Sequence, residues 1–136
     1  MKLILCVDDR GGMLFNRRRQ SRDRVLISDL AEYVGDGVLY MNSYSEELFS
    51  DVSLNIILCD SPMASADIGD FAFVERESPG EYAPSAEEII LYKWNKNYPS
   101  DLKMGFLPEE LGFSLSEMRE FEGSSHEKIT REIYRK

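Results

Sequence analysis

The chain has 136 residues, 43% of them hydrophobic and 30% charged, with a net charge of −9. That length holds one domain with its own core and needs no metal or disulfide staples. The negative balance argues against nucleic-acid binding, because phosphate backbones meet repulsion over most of the surface. No stretch reaches the roughly 18 apolar residues of a membrane helix.

The opening run "KLILCV" has strand length and is apolar almost throughout, the pattern of a strand covered on both faces of a sheet. It is too short for a secretory signal and ends in two acids. "DDRGG" then predicts a turn. Residues 13–24, "MLFNRRRQSRDR", set Arg17, Arg18, Arg19, Arg22 and Arg24 against Asp23 alone, a segment of +4 in a chain whose remainder carries −13. This segment reads as a cationic loop. "SRDRVLISDLAEYVG" predicts a helix, with Leu26, Leu30, Tyr33 and Val34 at helical spacing and Gly35 as its stop.

"GVLYMN" predicts the second strand, and Ser43 with Glu46 has the spacing of a capping box for a helix "SEELFSD". "LNIILCD" predicts a third strand, residues 61–70 a loop, and "FAFVE" a short fourth strand that ends at "RESPGEYAP". "EEIILYKWN", rich in branched and aromatic residues, predicts a strong strand. "LSEMREF" fits a strand or a short helix. The tail "SSHEKITREIYRK" fits either a helix capped by Ser124 and Glu127 or a strand with Ile129 and Ile133 on one face. Cys6 and Cys59 lie in apolar runs and are expected as buried, reduced thiols, which places the protein in the cytoplasm.

Strands alternating with helices, then consecutive strands late in the chain, predict a single α/β domain spanning residues 1–136, with a mixed, mostly parallel sheet flanked by helices. Ligands in such sheets bind beyond the carboxyl ends of the strands. Asp8, Asp9, Asn42 and Asp60 fall at those ends, and the arginine segment leaves from the same edge.

These residues resemble the dihydrofolate reductase family in a shortened form. "CVDDRGGM" supplies Asp8, Gly12 and Met13 of its opening pattern. "SDLAEYV" supplies Asp29, Leu30 and Tyr33 of its acid-bearing helix, and "YMNSYSEELF" supplies Met41, Asn42, Ser43, Ser45 and Glu47 of its second strand and following helix. "EEIILYKWNKNYPSDLKMGFLP" is similar to its late strand and connection, and the tail to its closing strand. The resemblance implies that Asp29 matches the carboxylate that binds and helps protonate a pterin ring.

It also marks departures. The family's phosphate-binding arginine falls at Ser43 and the preceding glycine at Asn42. Its Gly-Gly turn falls at Glu75, Arg76 and Glu77, where carboxylates oppose a pyrophosphate. The interval from Asp60 to the fourth strand is short by a strand–helix unit, and "RRRQSR" replaces a tryptophan-containing loop. The reading is therefore a reductase-like scaffold without its NADPH-binding motifs and with no cofactor or metal.

Its expected role is noncatalytic binding of a small anion or a protein partner, a second copy included. The cleft would be formed by Asp8, Asp9, Arg17, Arg18, Arg19, Arg22, Asp29, Tyr33 and Asn42. The alternative is a small enzyme acting on a nucleotide or heterocyclic anion, with Asp29 as general acid/base. Receiver-type chemistry around Asp8, Asp9 and Asp60 lacks the one further helix it needs between the first two strands, and a late Lys-Pro turn. The two-zinc hydrolysis of ribonuclease Z lacks its His-x-His-x-Asp-His cluster, since the chain holds one histidine, expected on an exposed tail.

Overall fold

A seven-stranded sheet forms the body of the protein, and the computed structural model describes all 136 residues. The strands are β1 (Lys2–Val7), β4 (Val38–Met41), β5 (Asn55–Leu58), β6 (Phe71–Phe73), β7 (Glu88–Lys93), β9 (Ser114–Phe121) and β10 (Ile129–Arg135). Their order is β5-β4-β6-β1-β7-β10-β9. The pairings from β5 to β7 are parallel; β10 is antiparallel to both β7 and β9. The predicted mixed, mostly parallel α/β sheet is the one observed.

Alternation along the strands divides the core into two faces. Ile4, Leu39, Met41, Phe73, Ile90 and Ile133 face the helix α1 (Arg24–Val34), which packs Leu26, Ile27, Leu30 and Val34 against them. Burying one such leucine contributes about 1.5–3 kcal/mol. Asp23 caps α1, accepting the N–H groups of Val25 and Leu26, and Gly35 ends it at φ 58°. That is a left-handed conformation that glycine adopts without strain. On the opposite face Leu3, Leu5, Ile89 and Leu91 are covered by short irregular pieces, among them the one-turn helix α2 (Pro62–Ser65) and the segment from Met104 to Phe113. Helices therefore flank the sheet unequally: one long helix on one face, one turn on the other.

Several local expectations change, the one-turn α2 inside the expected 61–70 loop and the partial exposure of the two cysteines among them, and the open choices late in the chain are settled. The arginine segment is a hairpin, β2 (Gly12–Phe15) with β3 (Arg18–Arg19), and β8 (Leu102–Lys103) extends it into a small second sheet. Its turn residues Asn16 and Arg17 have φ of 53° and 63°, both positive as a two-residue type I′ connection requires. Segment 43–49 is a 3₁₀ helix capped by Asn42, not an α-helix capped by Ser43. "LSEMREF" and the tail are both strands, so Ser124 caps no helix of its own; its hydroxyl accepts the N–H of Arg24. His126 is buried, where an exposed tail residue was expected. Cys6 and Cys59 are free and each partly exposed. No helix is long and apolar enough to cross a membrane.

Candidate functional site

The predicted site residues fall into three separate arrangements. The first is the turn after β1. Asp8 is buried, and its carboxylate accepts N–H from Arg10 and Gly12 at 2.9 and 2.7 Å, the Gln20 amide at 3.0 Å and the Tyr98 N–H at 3.3 Å. Burial alone would raise its pKa, but these four donors more than offset that and hold the carboxyl below the usual carboxylate range. Asp9 is exposed and tied down only through its backbone N–H to Lys96.

The second arrangement surrounds the hairpin. Arg19 reaches Glu75 through Nε and Nη2 at 3.0 and 3.1 Å and Glu47 through Nη1 at 2.6 Å, and lies over the Tyr44 ring. Ser45 donates to the same Glu75 at 2.7 Å, and Asn42 accepts the Tyr44 N–H. Glu77 accepts from Ser61. Arg19 is thus spent inside the fold. Arg17 and Arg18 stand exposed at the hairpin tip without an ion-pair partner, and Arg22 comes no nearer than 3.9 Å to Glu47.

The third lies between α1 and the last two strands. Asp29 is on the buried face of α1, where Oδ2 accepts the Tyr92 hydroxyl at 2.7 Å and Arg131 Nη1 at 3.0 Å, and Oδ1 lies 3.0 Å from Arg119 Nη1. Arg131 also reaches Glu117 at 2.8 Å. Burial and the adjacent Asp29 push the Tyr92 hydroxyl far above its ordinary value, so it remains a donor. Tyr33 donates to Glu88 at 2.8 Å, and burial together with that carboxylate raises it to about 12. The side chains of Tyr92 and Arg131 close on Asp29, which is buried and does not line the groove at the start of α1.

A groove of about 550 Å³ runs between the start of α1, segment 47–52 and the turn at 124–125, and a shallower depression of about 600 Å³ adjoins it at Ser43, Tyr44 and Glu46. Arg22, Arg24, Ser28, Ser124 and Ser125 supply donors; Glu47 and Asp51 supply acceptors. Of the predicted residues only Arg22 belongs to it. No three His, Cys, Asp or Glu side chains come together as metal ligands.

Sequence reasoning missed Arg131, Tyr92, Ser21 and His126 as members of polar clusters. For Arg131 and His126 the partners are 102 and 103 residues away, with no local pattern to announce them. Asp23 carried a readable signal, an acid one residue before an apolar helix.

No protein-family model and no curated protein sequence matches the chain. A solved dihydrofolate reductase from Enterococcus faecalis, complexed with NADP(H) and an inhibitor named RAB-propyl, superposes with a TM-score of 0.66 at 10% identity, covering 98% of this chain and 94% of that one. The chain has the dihydrofolate reductase fold.

Proposed function

We propose that this protein is a binding module for a small anion that also carries N–H donors, such as a nucleotide or heterocyclic anion, held in the groove beside α1. The observation that carries this reading is the groove's lining. Arg22 and Arg24 offer guanidinium donors to a phosphate or carboxylate, serine hydroxyls stand beside them, and Glu47 and Asp51 are placed to accept from a ring N–H. Its volume lies within the roughly 300–1,000 Å³ of small-molecule sites.

The reductase cofactor does not fit the residues present. Where the family resemblance places the pyrophosphate turn, Glu75 is fixed on Arg19 and Ser45 and Glu77 stands nearby, so a dinucleotide would meet carboxylates. Asp29 is likewise committed inside the fold, one oxygen to Tyr92 and Arg131 and the other facing Arg119. Contact with an acidic protein surface is the second reading, favoured by Arg17 and Arg18, which project from the hairpin with no internal partner.

Thermal shift and calorimetry with orthophosphate, mononucleotides and pterin carboxylates at low salt test the first reading. Binding of at least one is expected, and the Arg22→Ala/Arg24→Ala double variant should lose it. An unchanged melting temperature with every probe, or binding indifferent to the double substitution, overturns it. Arg17→Ala/Arg18→Ala leaves groove binding intact and addresses the second reading through sedimentation.

A further inference from the structure

Beside the groove lies a buried chain of hydrogen bonds that anion binding does not use. Asp23 Oδ2 is 3.0 Å from His126 Nδ1, and His126 Nε2 is 2.9 Å from Ser21 Oγ. The Asp23 and His126 side chains are 0% and 2% exposed, whereas Ser21 is only partly covered. The acid and the base are therefore held inside the fold, while the hydroxyl at the end of the chain, with the Nε2 edge behind it, opens toward solvent.

The partners determine which imidazole nitrogen carries the proton. Asp23 accepts N–H from Val25, Leu26, Ser124 and Ser125, so its carboxylate acts only as an acceptor. Burial pushes its carboxyl upward, but the His126 bond and these backbone donors outweigh that and keep it below the usual range. Nδ1 facing this carboxylate has to be the N–H. In the neutral ring Nε2 is then the acceptor facing the Ser21 hydroxyl, the tautomer a general base needs. Trp94 stacks on the imidazole at 4.7 Å between centroids and fixes the ring plane. Tyr98 OH lies 3.2 Å from the same Nε2, a second and longer contact.

The peptide run that carries the serine is also free to donate. The N–H groups of Ser21, Arg22 and Asp23 have no acceptor within the protein. In acyl-transfer enzymes the N–H following the nucleophile commonly stabilises the oxyanion.

We propose that Ser21 is a nucleophile activated by His126 and Asp23, and that the protein cleaves carboxylic esters through an acyl-serine. Ser21 Oγ adds to the ester carbonyl carbon as its proton passes to His126 Nε2. The ester C–O bond then breaks, and the leaving alcohol departs with that proton. Water, deprotonated by the same Nε2, attacks the acyl-serine, releases the carboxylic acid and returns the proton to Ser21. The step needs no oxidant, metal or cofactor and stands independently of the groove reading.

Two measurements on the whole chain decide it. A fluorophosphonate probe followed by peptide mass spectrometry should place an adduct on Ser21 in the folded protein and none after unfolding in urea. Ser21→Ala should lose the adduct at unchanged circular dichroism, whereas Tyr98→Phe should keep it. Ser21→Cys in a Cys59→Ser background tests the same geometry without an acyl probe. Its thiol should react with iodoacetamide at pH 6 at least tenfold faster than an ordinary cysteine with a pKa of about 8.5. Either an adduct on Ser21 or the accelerated thiol supports the assignment. No adduct together with an ordinary thiol overturns it and leaves these bonds as a clasp between the 123–126 turn and α1.

Discussion

Replacing Asp29 with asparagine separates a structural carboxylate from a functional one. The Asp29 side chain is 5% exposed and Arg131 8%, so removing the negative charge strands a guanidinium away from water. Breaking a buried pair in this way costs about 3–5 kcal/mol. Two features reduce the loss here: Arg131 retains Glu117 at 2.8 Å, and an asparagine oxygen still accepts from Tyr92. Arg119, 53% exposed, returns to solvent at little cost. The expected destabilisation is about 2–4 kcal/mol, a fall of about 1–2 M in the urea midpoint at an ordinary m-value. Trp94, the single tryptophan and buried, provides the fluorescence signal at neutral pH. Asp29→Asn/Arg131→Met should be more stable than Asp29→Asn alone, because it removes the stranded charge as well. A loss below about 1 kcal/mol, the value of an exposed pair, would refute this account and return Asp29 to consideration as an acid.

Acid should weaken the fold through Asp8 and Asp23, whose carboxyls are both lowered in the native state. Their contribution is fully present above the unfolded value of about 3.9 and is lost as pH falls toward the native values, because the unfolded chain binds protons first. Melting temperatures from pH 6 to 2 should fall more steeply for the wild type than for Asp8→Asn. Gly12→Ala places a Cβ 2.7 Å from Gln20 Nε2 and 2.8 Å from both Asp8 Oδ2 and Ser100 Cβ, and should cost about 1–3 kcal/mol in urea unfolding. Arg17→Gly relieves a left-handed residue at φ 63° and should raise the melting temperature by ~2–4 °C.

Apolar periodicity reveals strands and helices because the core demands it, and here it placed β1, α1, β4, β5, β6 and β7 near their observed positions. It even carried Asp29: an acid three residues after Leu26 and one before Leu30 has to sit on or beside the buried face. The hairpin was illegible for a different reason. Asn-Arg lacks the glycine that usually marks a type I′ turn, and β3 is two residues long. The arginine cluster misled because local charge counting treats neighbours as a unit, while the fold distributes them. Arg19 finds Glu47 and Glu75 at separations of 28 and 56 residues. Its two predecessors, raised on the turn, find nothing. His126 resisted for the same reason, since only tertiary packing brings Ser21 and Asp23 to it.

Asp29 also bears on how the last hairpin selects its register. Arg119 and Arg131 are directly opposed across β9 and β10, a like-charge pair that would ordinarily destabilise an antiparallel ladder. The opposition is tolerated because α1 inserts Asp29 between them, one oxygen toward each. A slip of one residue would turn a strand's side chains to the other face. It would remove an arginine from Asp29 and carry Ile129 or Ile133 out of the core with it. The hairpin also bulges between Ile133 and Tyr134, so alternation alone does not keep the two strands aligned to their ends. A buried charge shared by two strands and a helix penalises every alternative alignment more than an apolar residue of the same size would. On this reasoning Asp29→Leu, which fills the site but strands Arg131 and the Tyr92 hydroxyl, should be destabilised at least as much as Asp29→Asn, and hydrogen exchange along β9 should accelerate by more than that global loss accounts for.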